Sequence, residues 1–223
     1  MKFLSMDIEA AIFDLDGTLL DSTHLWGEID VRFFARRGLS VPSSYAQEIA
    51  HIGLKGAAKF TRERYCPNET EEEILAEWHA LSQEAYAKEI PAKNGAIAFL
   101  EALKKRKIPM ALATANSPSL YLPALKRLGM EEYFSFLIDA EKCQEGKGNS
   151  KIYDLACEAL HSQRGKTLVF EDSLQPMKEA EKAGYPVICI YDRHSCHDEA
   201  EHRAHCLYFA SSGEELLCKL EED

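Results

Sequence analysis

Long apolar runs and an excess of basic side chains are both missing from this 223-residue chain. No stretch approaches the ~20 consecutive apolar residues that a membrane-spanning helix needs, so no membrane partner is expected. Lys and Arg number 26 against 37 Asp and Glu, for a net charge of -11. Binding to a nucleic-acid backbone relies on clustered cations, so no nucleic-acid partner is expected either. A diffuse negative field does not exclude a small anionic ligand, because a local metal ion and one or two cations outweigh it. The seven cysteines are an odd number, scattered without a Cys-x-x-Cys pair, which speaks against a disulfide framework and for reduced thiols. The opening Met1-Lys2-Phe3-Leu4-Ser5-Met6-Asp7 is too short and too soon acidic for a signal peptide, so a cytoplasmic protein is expected. Internal repeats and low-complexity linkers are absent. Tryptophan is scarce, and Trp26 and Trp78 both fall on helical faces that by default belong to packing. What is present, 46% hydrophobic and 28% charged residues, is the composition of a soluble globular protein with room for one sizeable core and a small second unit.

The apolar pattern changes character twice along the chain. Residues 10–13 read as a buried strand, and from about 23 to 90 there is no convincing strand. Residues 24–37 have helical apolar spacing (Leu25, Ile29, Phe33) and stop at Gly38; residues 43–51 and 56–65 read as shorter helices. Thr70-Glu71-Glu72-Glu73 is a capping box whose helix can run to about residue 88, and Pro91 closes the helical stretch. Beyond it helices (95–105, 150–160, 174–183) alternate with short apolar strands (108–114, 134–139, 167–171, 186–191). Ser117 is placed to cap a further helix, with Pro118 at its first position and Gly129 at its end. Apolar strands separated by amphipathic helices predict an α/β fold, a Rossmann-like parallel sheet covered on both faces, with an inserted all-helical domain. The expected division is a core of residues 1–20 and 92–223 and an insertion of residues 21–91.

The most informative run is Asp14-Leu15-Asp16-Gly17-Thr18, directly after the first strand. Residues two apart on extended backbone project to one side, so Asp14 and Asp16 can converge, and Gly17 permits a sharp turn. Two carboxylates held together repel, and a hard divalent cation is the usual remedy. One can then act as nucleophile while the other handles a proton. Alone, such a run is better read as a solvated turn at a strand end. Three downstream signals lift it above that: Thr114 at the end of the 108–114 strand, Lys147 before a helix, and Glu171-Asp172 at the end of the 167–171 strand. In open parallel sheets ligands bind at the carboxyl ends of strands, where Asp14, Thr114 and Asp172 all fall.

These four motifs, in this order and across nearly the whole chain, resemble the haloacid dehalogenase-like hydrolase superfamily. The similarity is to the branch with a helical cap inserted after the first strand, which includes β-phosphoglucomutase and phosphoglycolate phosphatase. The resemblance implies that Asp14 attacks phosphorus to give an aspartyl-phosphate, and that Asp16 protonates the leaving oxygen and later activates water. Haloacid dehalogenases proper lack the second Asp, so its presence favours phosphoryl transfer over carbon–halogen cleavage. In Leu112-Ala113-Thr114-Ala115-Asn116, Thr114 matches the family's phosphate-binding hydroxyl, with main-chain N–H groups from Ala115 onward beside it. Lys147 matches the cation that neutralises the transferring phosphoryl, with Lys142 and Lys151 as competitors. The segment after it, Gly148-Asn149-Ser150-Lys151-Ile152-Tyr153, keeps the family's tyrosine and neither of its prolines. Asp172 matches a Mg2+ ligand, joined by Asp14 and the main-chain carbonyl of Asp16, with Glu171 nearby and acting through water. Pro176 stands where a glycine is common.

In the insertion, Gly53-Leu54-Lys55-Gly56 resembles the cap's specificity loop, with glycines that would let Lys55 reach the active site; Lys59 lies one turn on. Trp26 and Asn116 are further candidates for substrate contact. The His- and Cys-rich segment 194–206 fits no standard zinc-ligand spacing and reads as a solvated loop and helix past the last strong strand. The leading expectation is a magnesium-dependent phosphatase of a small phosphorylated metabolite, a monomer or weak homodimer. The alternative is a phosphosugar mutase, in which a histidine usually follows the second Asp; an ungapped count puts Trp26 there, with His24 two residues away. A non-catalytic module on the same scaffold would generally have lost one of the acids, and Asp14, Asp16 and Asp172 are all present.

Overall fold

The computed structural model describes residues 1–49, 52–143 and 149–222, with the backbone alone at 140 and 141. The chain forms two compact units, residues 1–23 with 90–223, and residues 24–89.

The larger unit opens with a hairpin, β1 (Lys2–Phe3) and β2 (Met6–Asp7), paired antiparallel across Leu4 and Ser5. Both turn residues have positive φ, 50° and 64°. This is the backbone that a two-residue hairpin needs, but Leu-Ser is not a sequence that advertises it. Next comes β3 (Ala10–Phe13). After the helical unit follow α5 (Ala96–Lys105), β4 (Met110–Thr114), α6 (Pro118–Arg127), β5 (Phe136–Asp139), α7 (Ala140–Cys143), α8 (Lys151–Ala159), β6 (Thr167–Glu171), α9 (Leu174–Lys182) and β7 (Val187–Ile190). The chain then adds α10 (Glu199–Ala204), inside the segment expected as a loop and helix, and β8 (Tyr208–Ala210) and α11 (Gly213–Glu222), which the apolar pattern did not flag.

The six strands of the main sheet pair in parallel in the order β5-β4-β3-β6-β7-β8. Every residue of β3, β4, β6 and β7 is buried, as expected for strands covered on both faces. Alternation along each strand then sorts the two cores. On one face Phe13 and Phe170, neighbours in register, stack at 4.3 Å, and Phe99 of α5 meets both edge-on at 6.3 and 5.5 Å. Such aromatic pairs add about 0.5–1.5 kcal/mol each beyond the area they bury. On the other face Ile12, Ala113 and Val169 pack with Ile152 and Tyr153 of α8 and Met177 of α9. The predicted parallel α/β architecture is therefore observed.

The smaller unit is all helical: α1 (Leu25–Ala35), α2 (Tyr45–Ile49), α3 (Gly53–Tyr65) and α4 (Glu71–Lys88). The capping box is formed, with Thr70 Oγ1 accepting from Glu73 N–H and the Glu73 carboxylate accepting from Thr70 N–H. Phe33 meets Trp78 at 5.6 Å and Phe34 meets Tyr45 at 5.0 Å, which ties α1 to α4 and α2. Arg37 lies 3.5 Å over the Phe33 ring while its guanidinium spans Glu69 and Glu77. Two expectations fail here. Trp78 is 3% exposed and belongs to the core, but Trp26 is 51% exposed and does not. The segment 53–56, expected as a loop, is the first turn of α3; Ala57, Ala58 and Thr61 bury a helical face that carries the helix back through both glycines.

Asp30 on α1 is 8% exposed, and its carboxylate makes no hydrogen bond or ion pair among the described residues. Burial pushes its pKa up from 3.8 to about 6. Between those values the folded protein keeps a proton that the unfolded chain has released, so stability falls as pH rises through the window and stays lower above it. Asp30→Asn is expected to remove that fall and to stabilise the protein near neutral pH by about 1–3 kcal/mol, read from urea unfolding across the window.

Candidate active site

The chain runs from β3 outward to β4 and β5, then returns to β6 on the other side of β3. The site lies at the carboxyl ends of the strands at this reversal, where open α/β sheets bind their ligands. Asp14 directly follows β3, and its N–H donates to Phe170 O at 2.9 Å, extending the ladder by one bond. Glu171 ends β6 and Asp172 follows it. Each of these acids is buried, and one carboxylate oxygen from each lies within 4.8 Å of the others.

Neighbouring side chains hold the acids in place. Glu171 shares its side of the sheet with Val169, facing α8, and accepts from the Tyr153 hydroxyl at 2.6 Å. Burial, and then the negative charge of Glu171, push the Tyr153 phenol well above its usual pKa, so it remains a donor. Asp172 accepts from Thr18 Oγ1 at 3.2 Å and from Ser173 Oγ at 3.4 Å. Gly17 has φ of +86°, and a Cβ there would stand 2.3 Å from Asp172 Oδ2. The turn after Asp16 therefore requires glycine for both its backbone angle and its space.

Asp16 is half-buried, and its carboxylate lies outside the trio. Ser22 Oγ donates to one oxygen at 2.6 Å, and Asn116 Nδ2 to the other at 3.0 Å. Asn116 also accepts from Ser117 N–H through Oδ1, and its own N–H donates to Thr114 Oγ1 at 3.0 Å. The Thr114 hydroxyl thus keeps its hydrogen for another acceptor. Thr114 is buried at the end of β4, Ala115 follows it, and Pro118 starts α6 as the sequence suggested, although the Ser117 side chain makes no cap bond. Pro176 sits in the first turn of α9, where a missing N–H is tolerated.

Among the candidate lysines, Lys147 lies outside the described residues. Lys142 is engaged elsewhere: its ammonium is 3.4 Å from Asp139, a buried acid at the end of β5 that also accepts from Tyr121. Lys151 opens α8 with an exposed side chain. Lys55 and Lys59 are exposed on α3. In segment 194–206, α10 is exposed except at His202, which is buried with Nδ1 2.7 Å from Asp198 O. No helix among the described residues is long and apolar enough to cross a membrane.

Sequence reasoning missed a brace beneath the site. Leu20 pairs with Ala92, and Lys93 N–H donates to Leu19 O, which sets Lys93 beside the turn. Its ammonium donates to Gly17 O at 2.7 Å, Tyr191 O at 2.7 Å and Asp192 Oδ2 at 3.0 Å. Asp192, buried beyond β7, also accepts from Thr23 Oγ1 at 2.9 Å. Desolvation works to raise the Asp192 pKa, but the His194 N–H and the Lys93 ammonium outweigh it and hold the carboxyl low. A lone lysine and a lone aspartate about 100 residues apart carry no sequence signal of pairing.

A parallel α/β sheet with buried acids at its reversal places a polar site where such sheets bind ligands, and comparison with known proteins gives the class. A model of the haloacid dehalogenase-like hydrolases matches residues 8–184. The phosphorylated carbohydrates phosphatase of Thermotoga maritima is 28% identical over 177 residues, covering 79% of this chain and 82% of that protein. Hexitol phosphatase A of Escherichia coli is 30% identical over 187 residues, covering 83% and 84%. A crystal structure from Thermotoga maritima, provisionally named a β-phosphoglucomutase, superposes with a TM-score of 0.86 at 26% identity, covering 96% of this chain and 99% of that one. The chain belongs to the haloacid dehalogenase-like hydrolase family, as its four motifs implied.

Two substitutions test this geometry. Gly17→Ala is expected to cost about 2–4 kcal/mol in urea unfolding, because strained backbone and a carboxylate clash coincide. Lys93→Met strands the buried Asp192 carboxylate and is expected to cost a similar ~2–4 kcal/mol, most of it recovered when Asp192→Asn is added. Equal losses in the single and double variants would show that the pair is not coupled.

Proposed function

We propose that this chain is a magnesium-dependent phosphatase that hydrolyses a small phosphorylated metabolite through an aspartyl-phosphate on Asp14, with the helical unit as its cap domain. The observation that carries the reading is the buried trio Asp14, Glu171 and Asp172 at the reversal of the sheet, with Asp16 held beside it. An all-oxygen set of crowded carboxylates is the chemistry that a hard cation selects. Asp14, Asp172 and the main-chain carbonyl of Asp16 would hold Mg2+, with Glu171 behind them. When bound, the ion supplies charge neutralisation at the phosphoryl oxygens.

The remaining steps belong to the protein's own side chains. An Asp14 oxygen attacks phosphorus as the ester P–O bond breaks, and Asp16 gives its proton to the departing alkoxide. Asp16, now a carboxylate, takes a proton from water, whose oxygen attacks the same phosphorus and releases inorganic phosphate and Asp14. Asn116 and Ser22 fix Asp16 in orientation through both phases. The Thr114 hydroxyl, the N–H of Ala115 and the Lys147 ammonium would bind the phosphoryl oxygens.

The relatives are named for phosphorylated carbohydrates and hexitol phosphates, which makes sugar and polyol phosphates the first substrates to try. The mutase reading is supported by the structural neighbour's name, and Trp26 in place of a histidine weighs against it. With β-glucose 1-phosphate the expected products are glucose and phosphate; glucose 6-phosphate would identify a mutase. Turnover of p-nitrophenyl phosphate is expected to require Mg2+ and to fall on the order of 10⁴-fold or more in Asp14→Asn. Absence of magnesium-dependent turnover across a panel of phosphate esters would sink the proposal.

A further inference from the structure

Within the larger unit, the segments that lead out to the helical unit and back from it form a short paired ribbon. Leu20 bridges Ala92 antiparallel, Asp21 N–H donates to Pro91 O at 3.0 Å, and Lys93 N–H donates to Leu19 O at 2.8 Å. Asp192, buried beyond β7, fastens both sides of this ribbon. One of its carboxylate oxygens accepts from Thr23 Oγ1 and the other from the Lys93 ammonium.

The Lys93 ammonium has three N–H donors, and Gly17 O, Tyr191 O and Asp192 Oδ2 take one each. Its side chain is 14% exposed, so those three acceptors set its conformation. Of the three, Gly17 O bears on the site. The peptide that carries it leads into Thr18, whose hydroxyl donates to Asp172. The peptide before it carries the Asp16 carbonyl, and the N–H of that peptide, on Gly17, donates to Leu20 O at 2.9 Å. Glycine is the residue about which neighbouring peptides rotate most freely. Here Leu20 fixes the peptide before Gly17, and Lys93 fixes the one after it.

We propose that Lys93 is a positioning residue for the metal site. By holding the Gly17 carbonyl it would fix the groups on either side that face the ion: the Asp16 carbonyl and, through Thr18, the Asp172 carboxylate. This inference rests on the Mg2+ ligands proposed above. Asp192 has a separate part, which is to neutralise the lysine's charge where it is buried.

Charge and position make opposite predictions for Lys93. Lys93→Met removes a positive charge, which by Coulomb attraction alone would tighten the binding of a dication. Adding Asp192→Asn restores the net charge of the pair and most of the lost stability, but not the bond to Gly17 O. Mg2+ binding to the full chain without substrate is read by isothermal titration calorimetry. It is expected to weaken about tenfold in Lys93→Met and about equally in the double variant. A purely structural role predicts that affinity returns with stability. An affinity in the double variant within about twofold of the parent's would therefore overturn the proposal. No Mg2+ binding by the parent chain would overturn the metal reading and this inference together. If the parent binds Mg2+ but turns over no phosphate ester, the phosphatase reading fails and the calorimetry still decides the role of Lys93.

Discussion

The structure depends on a concentration of negative charge that the protein must hold in place. Three buried carboxylates within 4.8 Å of one another repel strongly where water is scarce. Their placement is bearable only because each is fixed by backbone or by a donor whose own position is fixed. Asp14 is held through the β3–β6 ladder, Glu171 by the Tyr153 hydroxyl, and Asp172 by Thr18. The surrounding sheet is correspondingly unyielding. Its central strands are buried on both faces, and the Phe13–Phe170 stack fixes the register of the two strands that deliver the acids.

The turn between Asp16 and Thr18 is fastened from outside as well. Gly17 must approach Asp172 more closely than a Cβ would allow, so the turn is located at that point by backbone contacts and not by a side chain. Lys93 holds the Gly17 carbonyl while anchored on Tyr191 and Asp192. The anchor for the first strand's loop thus comes from the end of β7 and from the segment where the chain re-enters the larger unit. These sites are adjacent only because the sheet order interleaves early and late strands.

That interleaving explains what the sequence reveals and what it hides. The strands and most helices were legible because their apolar periodicity reports burial directly, and 167–171 coincides with β6 to the residue. Asp14, Thr114, Glu171 and Asp172 were legible because each stands at a strand end, and the sheet brings strand ends together. Asn116 was singled out for the substrate and is found holding Asp16. The hairpin was hidden because Leu4 and Ser5 adopt positive φ without the usual Asn-Gly signature. The brace was hidden because pairwise contacts between distant residues leave no local pattern. The 53–56 turn was misread because glycines suggest a loop, whereas the buried face of Ala57, Ala58 and Thr61 decides for helix.

Departures from local rules are informative when they converge on one place. In the larger unit they converge on the strand ends: a left-handed glycine, crowded acids and a phenol buried against a carboxylate. In the helical unit, Asp30 is buried without a cation, and the Trp78 N–H and one Glu48 oxygen are buried without a hydrogen-bond partner, among the described residues, while Gly27 lies in the first turn of α1. Each of these alone is an ordinary imperfection costing on the order of 1 kcal/mol or more. The same unit also holds a complete capping box and a guanidinium shared between two carboxylates. The departures at the strand ends share the position where open parallel sheets bind their ligands, and that shared position, not any single imperfection, is what carries a functional reading.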